Sequence, residues 1–571
     1  MKRISTLLMA TAATALVTST AFADGHEKRG RDGEVKIIYW QAPSILNPFL
    51  SGGTKDVESA SMIVEPLARY NTKGELVPWL VDTVPTVENG GVAEDLTSIT
   101  WKLKEGLTWS DGTPVTSEDV KFTYEYCTHP EGGCAQVTKF EAVASIDNPD
   151  AQTVVVNFKS PTPNPYGPFT GGESPIIQKA QFSDCLGAKA PECTDANFGP
   201  IGTGPFKVVE FKPNDVIVME ANENYREAGK PAFAKVTFKG GGDAAAAGRA
   251  VMETGEFDYA WNLQLAPDVI AQMEKGGKGV AVAGFGPLVE RIMLNNTNPD
   301  PALGPDERSV IKPHPFLGNP AVYKALSMAI DRNLLVEIGY GKAGKVTCNW
   351  VPVPEIYAST SLTCDTQDLE GAKKMLEDAG FKDTDGDGVR ETPDGKPMNI
   401  LYQTSTNAVR QDFQALIKQW WEEIGMKVEL RNLSASVFFG GDPGSPDTFQ
   451  KFYADVEMYA NTFNGTDPQS YLGNALCDKA PTPASQWQGE NISRFCMPEY
   501  DALHAELQKT ANLEKRGEIA KKLNDMVIEN GGMIPLVHRG RLSAHSNTLG
   551  GVELNVWDSE LWNVAEWYRK K

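Results

Sequence analysis

Asp383, Asp385, Asp387, Gly388 and Asp394 stand at positions 1, 3, 5, 6 and 12 of a calcium loop, a spacing that would ring a cation with carboxylate oxygens. Position 12 is Asp where the helix-loop-helix calcium hands use a bidentate Glu, and residues 399–404 after the loop read as a strand instead of a helix. Asp-Gly-Asp-Gly is also the composition of a hydrated turn. A bare turn is therefore the preferred reading and a structural calcium the alternative, with no other cofactor expected. Catalytic chemistry leaves no comparable mark: there is no G-x-S-x-G, no H-E-x-x-H, no G-x-x-x-x-G-K-[ST] and no G-x-G-x-x-G opening a helix. Gly202 and Gly204, and the run Gly240, Gly241, Gly242, lack the Lys-Ser/Thr of a phosphate cradle and read as turns. Binding without catalysis is the reading these residues favour, and a secreted hydrolase is the alternative from another class.

Eight cysteines complete the reactive set: Cys127, Cys134, Cys185, Cys193, Cys348, Cys364, Cys477 and Cys496. No C-x-x-C is present and the six histidines are scattered, which argues against a zinc site. The N-terminus supplies the redox context. Lys2 and Arg3 precede a small and apolar run, and Ala21-Phe22-Ala23 fits a secretory cleavage site, so residues 1–23 are expected to be a signal peptide. No Cys follows that site, so no lipid anchor is expected and the compartment is the periplasm. Export places the cysteines where thiols pair, and short loops close most easily, which gives neighbour pairing 127–134, 185–193, 348–364 and 477–496.

These residues need elements to hold them. The chain has 571 residues, too many for one core, and alternates short strand-like runs with amphipathic helices, which predicts an α/β fold. Residues 35–40 read as a first strand. Asn319 and Pro320 cap a helix whose stripe is Val322, Ala325, Leu326, Ala329 and Ile330. Residues 399–404, a helix with Val409, Phe413, Ile417, Trp420 and Ile424 on one face, and residues 426–431 make a βαβ unit; Trp420 is expected in the core and its neighbour Trp421 off that face. A net charge of −21 excludes a surface built to neutralise phosphates, so no nucleic-acid partner is expected. No coiled-coil pattern appears, and a monomer is expected.

The block from Gly106 through Leu107, Thr108, Trp109, Ser110, Asp111, Gly112, Thr113 and Pro114 to Val120 resembles the signature of the family 5 extracellular solute-binding proteins, the dipeptide- and oligopeptide-binding group of ABC importers. Glu65-Pro66-Leu67 before it, and Gly202-Thr203-Gly204-Pro205-Phe206, Asn222-Glu223-Asn224-Tyr225, Ala329-Ile330-Asp331-Arg332 and Ile534-Pro535-Leu536 after it, stand in the family's order. The resemblance implies a periplasmic binding protein fold, two main lobes around a ligand cleft plus an inserted third lobe. Residues 24–63, 203–290 and 540–571 would form lobe I, 64–202 lobe II and 291–539 lobe III. It implies a receptor that closes on a solute, most simply a peptide, and delivers it to the permease subunits of the inner membrane. Carried over residue by residue, the pocket would draw on Trp40, Gln41, Trp261, Asn262, Tyr459, Asn461, Asn464, Asp467 and Arg539. Peptide-binding relatives place an Asp shortly before the Asp467-Pro468 pair to hold the ligand's amino group, and here Asn464 stands in its place. That substitution raises an oligosaccharide or opine-like solute as the alternative, with Asp467 the fallback anchor for an amine.

Overall fold

A computed structural model describes residues 28–571, so the expected signal peptide lies outside the described residues. Seven strands form the first sheet, in the order Gly279–Gly284, Arg541–Ser546, Tyr259–Trp261, Glu34–Tyr39, Lys235–Gly240, Val216–Ala221, Phe206–Lys212. Glu34–Tyr39 runs parallel to both of its neighbours. Its alternation explains its central place. Val35, Ile37 and Tyr39 pack on one face with Phe238, Leu561 and Trp567, and Ile38 packs on the other with Ala247 and Val251 of the Ala244–Met252 helix.

The second sheet has six strands, ordered Gly344–Val346, Met533–Arg539, Val289–Leu294, Val456–Asn461, Asn399–Ser405, Lys427–Leu433. Along Val289–Leu294, Ile292 and Leu294 meet Leu326, Phe413 and Ile417 on the helical side, which leaves Arg291 and Met293 for the opposite face. The expected βαβ unit is present: Asn399–Ser405 pairs in parallel with Lys427–Leu433 across the Ala408–Glu423 helix. The Asn407 side chain accepts from the Arg410 amide and caps that helix, as the Asn319 side chain caps Pro320–Met328 by accepting from the Ala321 amide. Trp421 departs from the expectation. It is fully buried, its indole N–H donating to the Leu326 carbonyl at 3.0 Å and its ring 5.5 Å from Tyr402, because the helix is covered on a second side.

Two chain crossings join the sheets side by side: residues 285–288 lead from Gly279–Gly284 to Val289–Leu294, and Gly540 alone separates Met533–Arg539 from Arg541–Ser546. The crossings are tied to each other by the Arg539 amide on the Leu288 carbonyl, 3.1 Å, and by His538 Nε2 on the Gly286 carbonyl, 2.7 Å.

A three-stranded sheet, Ser98–Lys102, Thr153–Phe158 and Val143–Asp147, carries its own core around Trp101 and Trp109. The signature block docks this part onto the first sheet's segment. Thr116 and Asp119 form a capping box on the Ser117–Thr128 helix, and Asn224 Nδ2 donates to the Ser110 carbonyl at 3.1 Å. Gly202 and Gly204 permit close approach more than they make turns: a Cβ on Gly204 would meet the Met62 carbonyl oxygen at 2.4 Å. All four neighbour disulfides are formed, closing separations of 7, 8, 16 and 19 residues. No helix among the described residues is long and apolar enough to cross a membrane.

Candidate functional site

The strands Glu34–Tyr39, Tyr259–Trp261 and Val456–Asn461 all end at the gap between the two large sheets, beside the paired crossings. The gap holds two adjoining chambers of about 920 and 650 Å³, open space at their mouths included, which share Gly52, Glu58, Asn461 and Arg541 in their walls.

Aromatic walls and a guanidinium network make the smaller chamber. Trp261 lies stacked on Tyr39, centroids 4.6 Å apart at 10°, while Tyr459 and Phe449 meet edge to face at 5.2 Å. Asn262 adopts the left-handed conformation at φ 54°, which Asn tolerates, and this turns its amide inward. Its Nδ2 donates to Gln41 Oε1 at 2.7 Å, its carbonyl accepts from the Trp40 indole at 2.8 Å, and its Oδ1 accepts from Arg539. Beneath them Glu290 accepts from Arg410 Nε at 2.7 Å and Nη2 at 3.2 Å and from the Tyr340 hydroxyl at 3.0 Å, with Arg539 Nη1 3.6 Å away. Burial works against ionisation of Glu290, but Arg410 outweighs it, helped by Arg539, and holds its pKa below the ordinary value. One carboxylate thus serves two guanidiniums, leaving this end of the gap electropositive.

The larger chamber has the opposite bias. Glu490, Glu173 and Asp467 line it together with Lys139, Asn461 and Asn464. Asp467 is occupied: Arg516 donates to its Oδ2 from Nε at 3.0 Å and Nη2 at 2.6 Å, and Tyr357 adds a hydroxyl at 3.2 Å. Glu173 is paired with Lys139 at 2.7 Å. Where the chambers join, Glu58 accepts from Ser559 Oγ at 2.5 Å and the Glu560 amide at 2.8 Å, with Arg541 at 3.5 Å. Burial, opposed by Arg541 and reinforced by Glu560, pushes Glu58 up to about 7.

Residues 75–481 match the family of bacterial extracellular solute-binding proteins, family 5 middle region. The chain belongs to that family. The oligopeptide-binding protein AppA of Bacillus subtilis is 26% identical over 394 residues, 68% of this chain and 67% of AppA. The glutathione-binding protein GsiB of Shigella boydii is 22% identical over 542 residues, 94% of each chain. Solved structures agree on the fold: AppA in complex with a nonapeptide superposes with a TM-score of 0.80 at 21% identity, covering 95% of this chain and all of the other. The agropinic acid complex of AgaA from A. tumefaciens R10 reaches 0.74 at 19% identity, covering 94% and 99%. The α/β fold is therefore the periplasmic binding protein fold.

Of the residues singled out in the sequence, Gln41, Trp261, Asn262, Tyr459 and Arg539 line the smaller chamber, Asn464 and Asp467 the larger, and Asn461 both. Trp40 stands behind the wall, 3% exposed, its ring in the core and its indole spent on Asn262. In the acidic loop, Asp383, Asp385 and Asp387 approach one another together with Glu391, within 4.8 Å. Asp394 is outside that group and accepts instead from Thr392 Oγ1 at 2.6 Å, because the chain closes back through Glu391 before reaching it. Sequence reasoning missed Lys55, Glu58, Arg410, Glu490 and Arg541. Lys55 and Glu58 follow the first strand closely enough to have been sought; Arg410 and Glu490 reach the chambers only through tertiary folding.

Proposed function

We propose that this chain is the periplasmic receptor of an ABC importer, that it captures short peptides between its two large sheets, and that it hands them unaltered to the permease of the inner membrane. The observation that carries the reading is the charge asymmetry of the gap: a surplus guanidinium at Arg539 and Arg410 in one chamber, among aromatic walls, and a surplus of carboxylate in the other. A peptide is an apolar-flanked dipole of the same length scale, and its carboxylate meets planar donors at Arg539. AppA and GsiB, by their names, bind an oligopeptide and glutathione, ligands of that kind. Gln41, Asn262, Asn461 and Asn464 supply oriented amides to the peptide backbone; Trp261 and Tyr459 are its flat walls. The protein works as a monomer that closes by rotation at the paired crossings around Gly540, and it breaks no bond in the solute. Titration with di- to pentapeptides, followed by scattering and by mass analysis of the recovered ligand, tests this: the radius of gyration falls on saturation and the peptide returns intact. A peptide recovered cleaved would replace receptor with hydrolase.

A further inference from the structure

Five carboxylates face the two chambers: Glu58, Glu173, Asp467, Glu490 and Glu560. Four are engaged. Asp467 is held by Arg516, Glu173 by Lys139, Glu58 by Ser559 and the Glu560 amide, and Glu560 by the Tyr259 and Ser543 hydroxyls at 2.7 and 2.5 Å. Glu490 differs: among the described residues nothing donates a hydrogen bond to its side chain and no base lies within ion-pair distance. Its Oε1 instead abuts Gly52, where an added Cβ would sit 3.1 Å away, so the carboxylate reaches the point at which the two chambers join.

We infer that Glu490 is the anchor for a cationic group of the solute, an ammonium, and that it selects ligands carrying one. This rests on the peptide-receptor reading and names the group that reading left without a partner. Asn464 is neutral, and Asp467 is committed to Arg516, so neither offers a free negative charge; Glu490 does, from the irregular segment after Cys477 and not from the segment that precedes Asp467. The surroundings agree. Burial pushes Glu490 up to about 8, and the neighbouring Glu173 adds to it, while Arg291 and Lys139 pull the other way without touching it. Arg291 is spent on the Tyr471 hydroxyl at 2.7 Å and on the face of Tyr459 at 5.1 Å, and Lys139 on Glu173. Closing the gap around an empty Glu490 therefore either buries a carboxylate with no compensating charge or draws a proton onto it. A ligand ammonium supplies the missing charge only in the closed state, which is the differential contact that drives closure.

Isothermal titration calorimetry at pH 7.5 with Ala-Ala-Ala, N-acetyl-Ala-Ala-Ala and N-acetyl-Ala-Lys-Ala tests the assignment on the wild type, Glu490→Gln and Glu490→Asp. The wild type binds Ala-Ala-Ala about ten- to hundredfold more tightly than its acetylated form, the range for a hydrogen-bonded charge. Glu490→Gln loses that preference by weakening the free-amine peptide alone, and Glu490→Asp keeps part of it. Recovery of affinity by N-acetyl-Ala-Lys-Ala identifies the cation as a side chain, and no recovery identifies it as the peptide N-terminus. Equal affinity of the wild type for free and acetylated forms, a comparison that needs no variant, overturns the role of Glu490 while leaving peptide capture in place. Failure of the wild type to bind any of the three overturns both readings.

Discussion

Replacing Glu290 by Gln removes the one carboxylate that two buried guanidiniums share. Glu290 is fully buried, and the side chains of Arg410 and Arg539 are 2% and 4% exposed. Arg410 makes two contacts to it, at 2.7 and 3.2 Å, and neither arginine has another acid within ion-pair distance among the described residues. Breaking a buried pair from one side costs about 3–5 kcal/mol, because the stranded charge keeps its desolvation penalty. The shared geometry places Glu290→Gln at the upper part of that range. Glu290→Leu combined with Arg410→Met removes one of the two guanidiniums that Glu290→Leu alone strands, and so is expected to be less destabilised than Glu290→Leu, by about 2 kcal/mol. Urea unfolding of the ligand-free proteins measures both. A Glu290→Gln cost below about 1 kcal/mol, the value of an exposed pair, or a double variant less stable than Glu290→Leu alone, would refute the network. The pH dependence has a fixed sign: the pKa of Glu290 is held low, so its contribution is present above the ordinary carboxylate range and is lost as acid takes the pH down through the lowered value.

Asp467→Asn strands Arg516, whose side chain is 4% exposed, and lowers stability by roughly 3 kcal/mol, the low end for buried pairs since Asp467 is 21% exposed; an unchanged melting temperature would count against that pairing. Alkylation of unreduced, exported protein labels no thiol, and reduction lowers stability by about 2–4 kcal/mol per bridge; labelled cysteines in the unreduced sample contradict the four pairs. Burial, with Glu173 adding and Arg291 and Lys139 opposing, raises Glu490 to about 8, so closure of the empty gap that keeps it buried takes up a proton and is favoured as the pH falls from 8 towards the ordinary carboxylate range. Scattering of the ligand-free protein is expected to give a smaller radius at pH 5 than at pH 8.5 in the wild type and less change in Glu490→Gln, and the opposite order would contradict the sign.

Legibility in the sequence tracked periodicity. The βαβ unit over 399–433 was readable because Val409, Phe413 and Ile417 recur at helical spacing between two strand-like runs, and the cysteine pairs because short loops limit the alternatives. Trp421 was misread because amphipathicity reports one buried face, whereas the Ala408–Glu423 helix also packs on the carbonyl end of Pro320–Met328. The signature block carried the resemblance yet lies in the scaffold, capping a helix and docking Asn224. Asp394 lost its place to Glu391 because loop positions counted along the chain ignore the Lys382 and Glu391 bridge that folds the segment back. Glu490 had no signal at all. It belongs to a stretch of turns and single-turn helices, and only the approach to Gly52 and Lys139 gives it a role.

Peptide capture in the gap between the sheets is open to direct measurement. Native mass spectrometry of protein purified without denaturation from the cells that make it reads any ligand it carries. Mass increments that dissociate on activation and sequence as short peptides with a free amino group are expected. Protein that carries only a sugar or an opine-like conjugate, and exchanges it for no peptide, would contradict peptide capture.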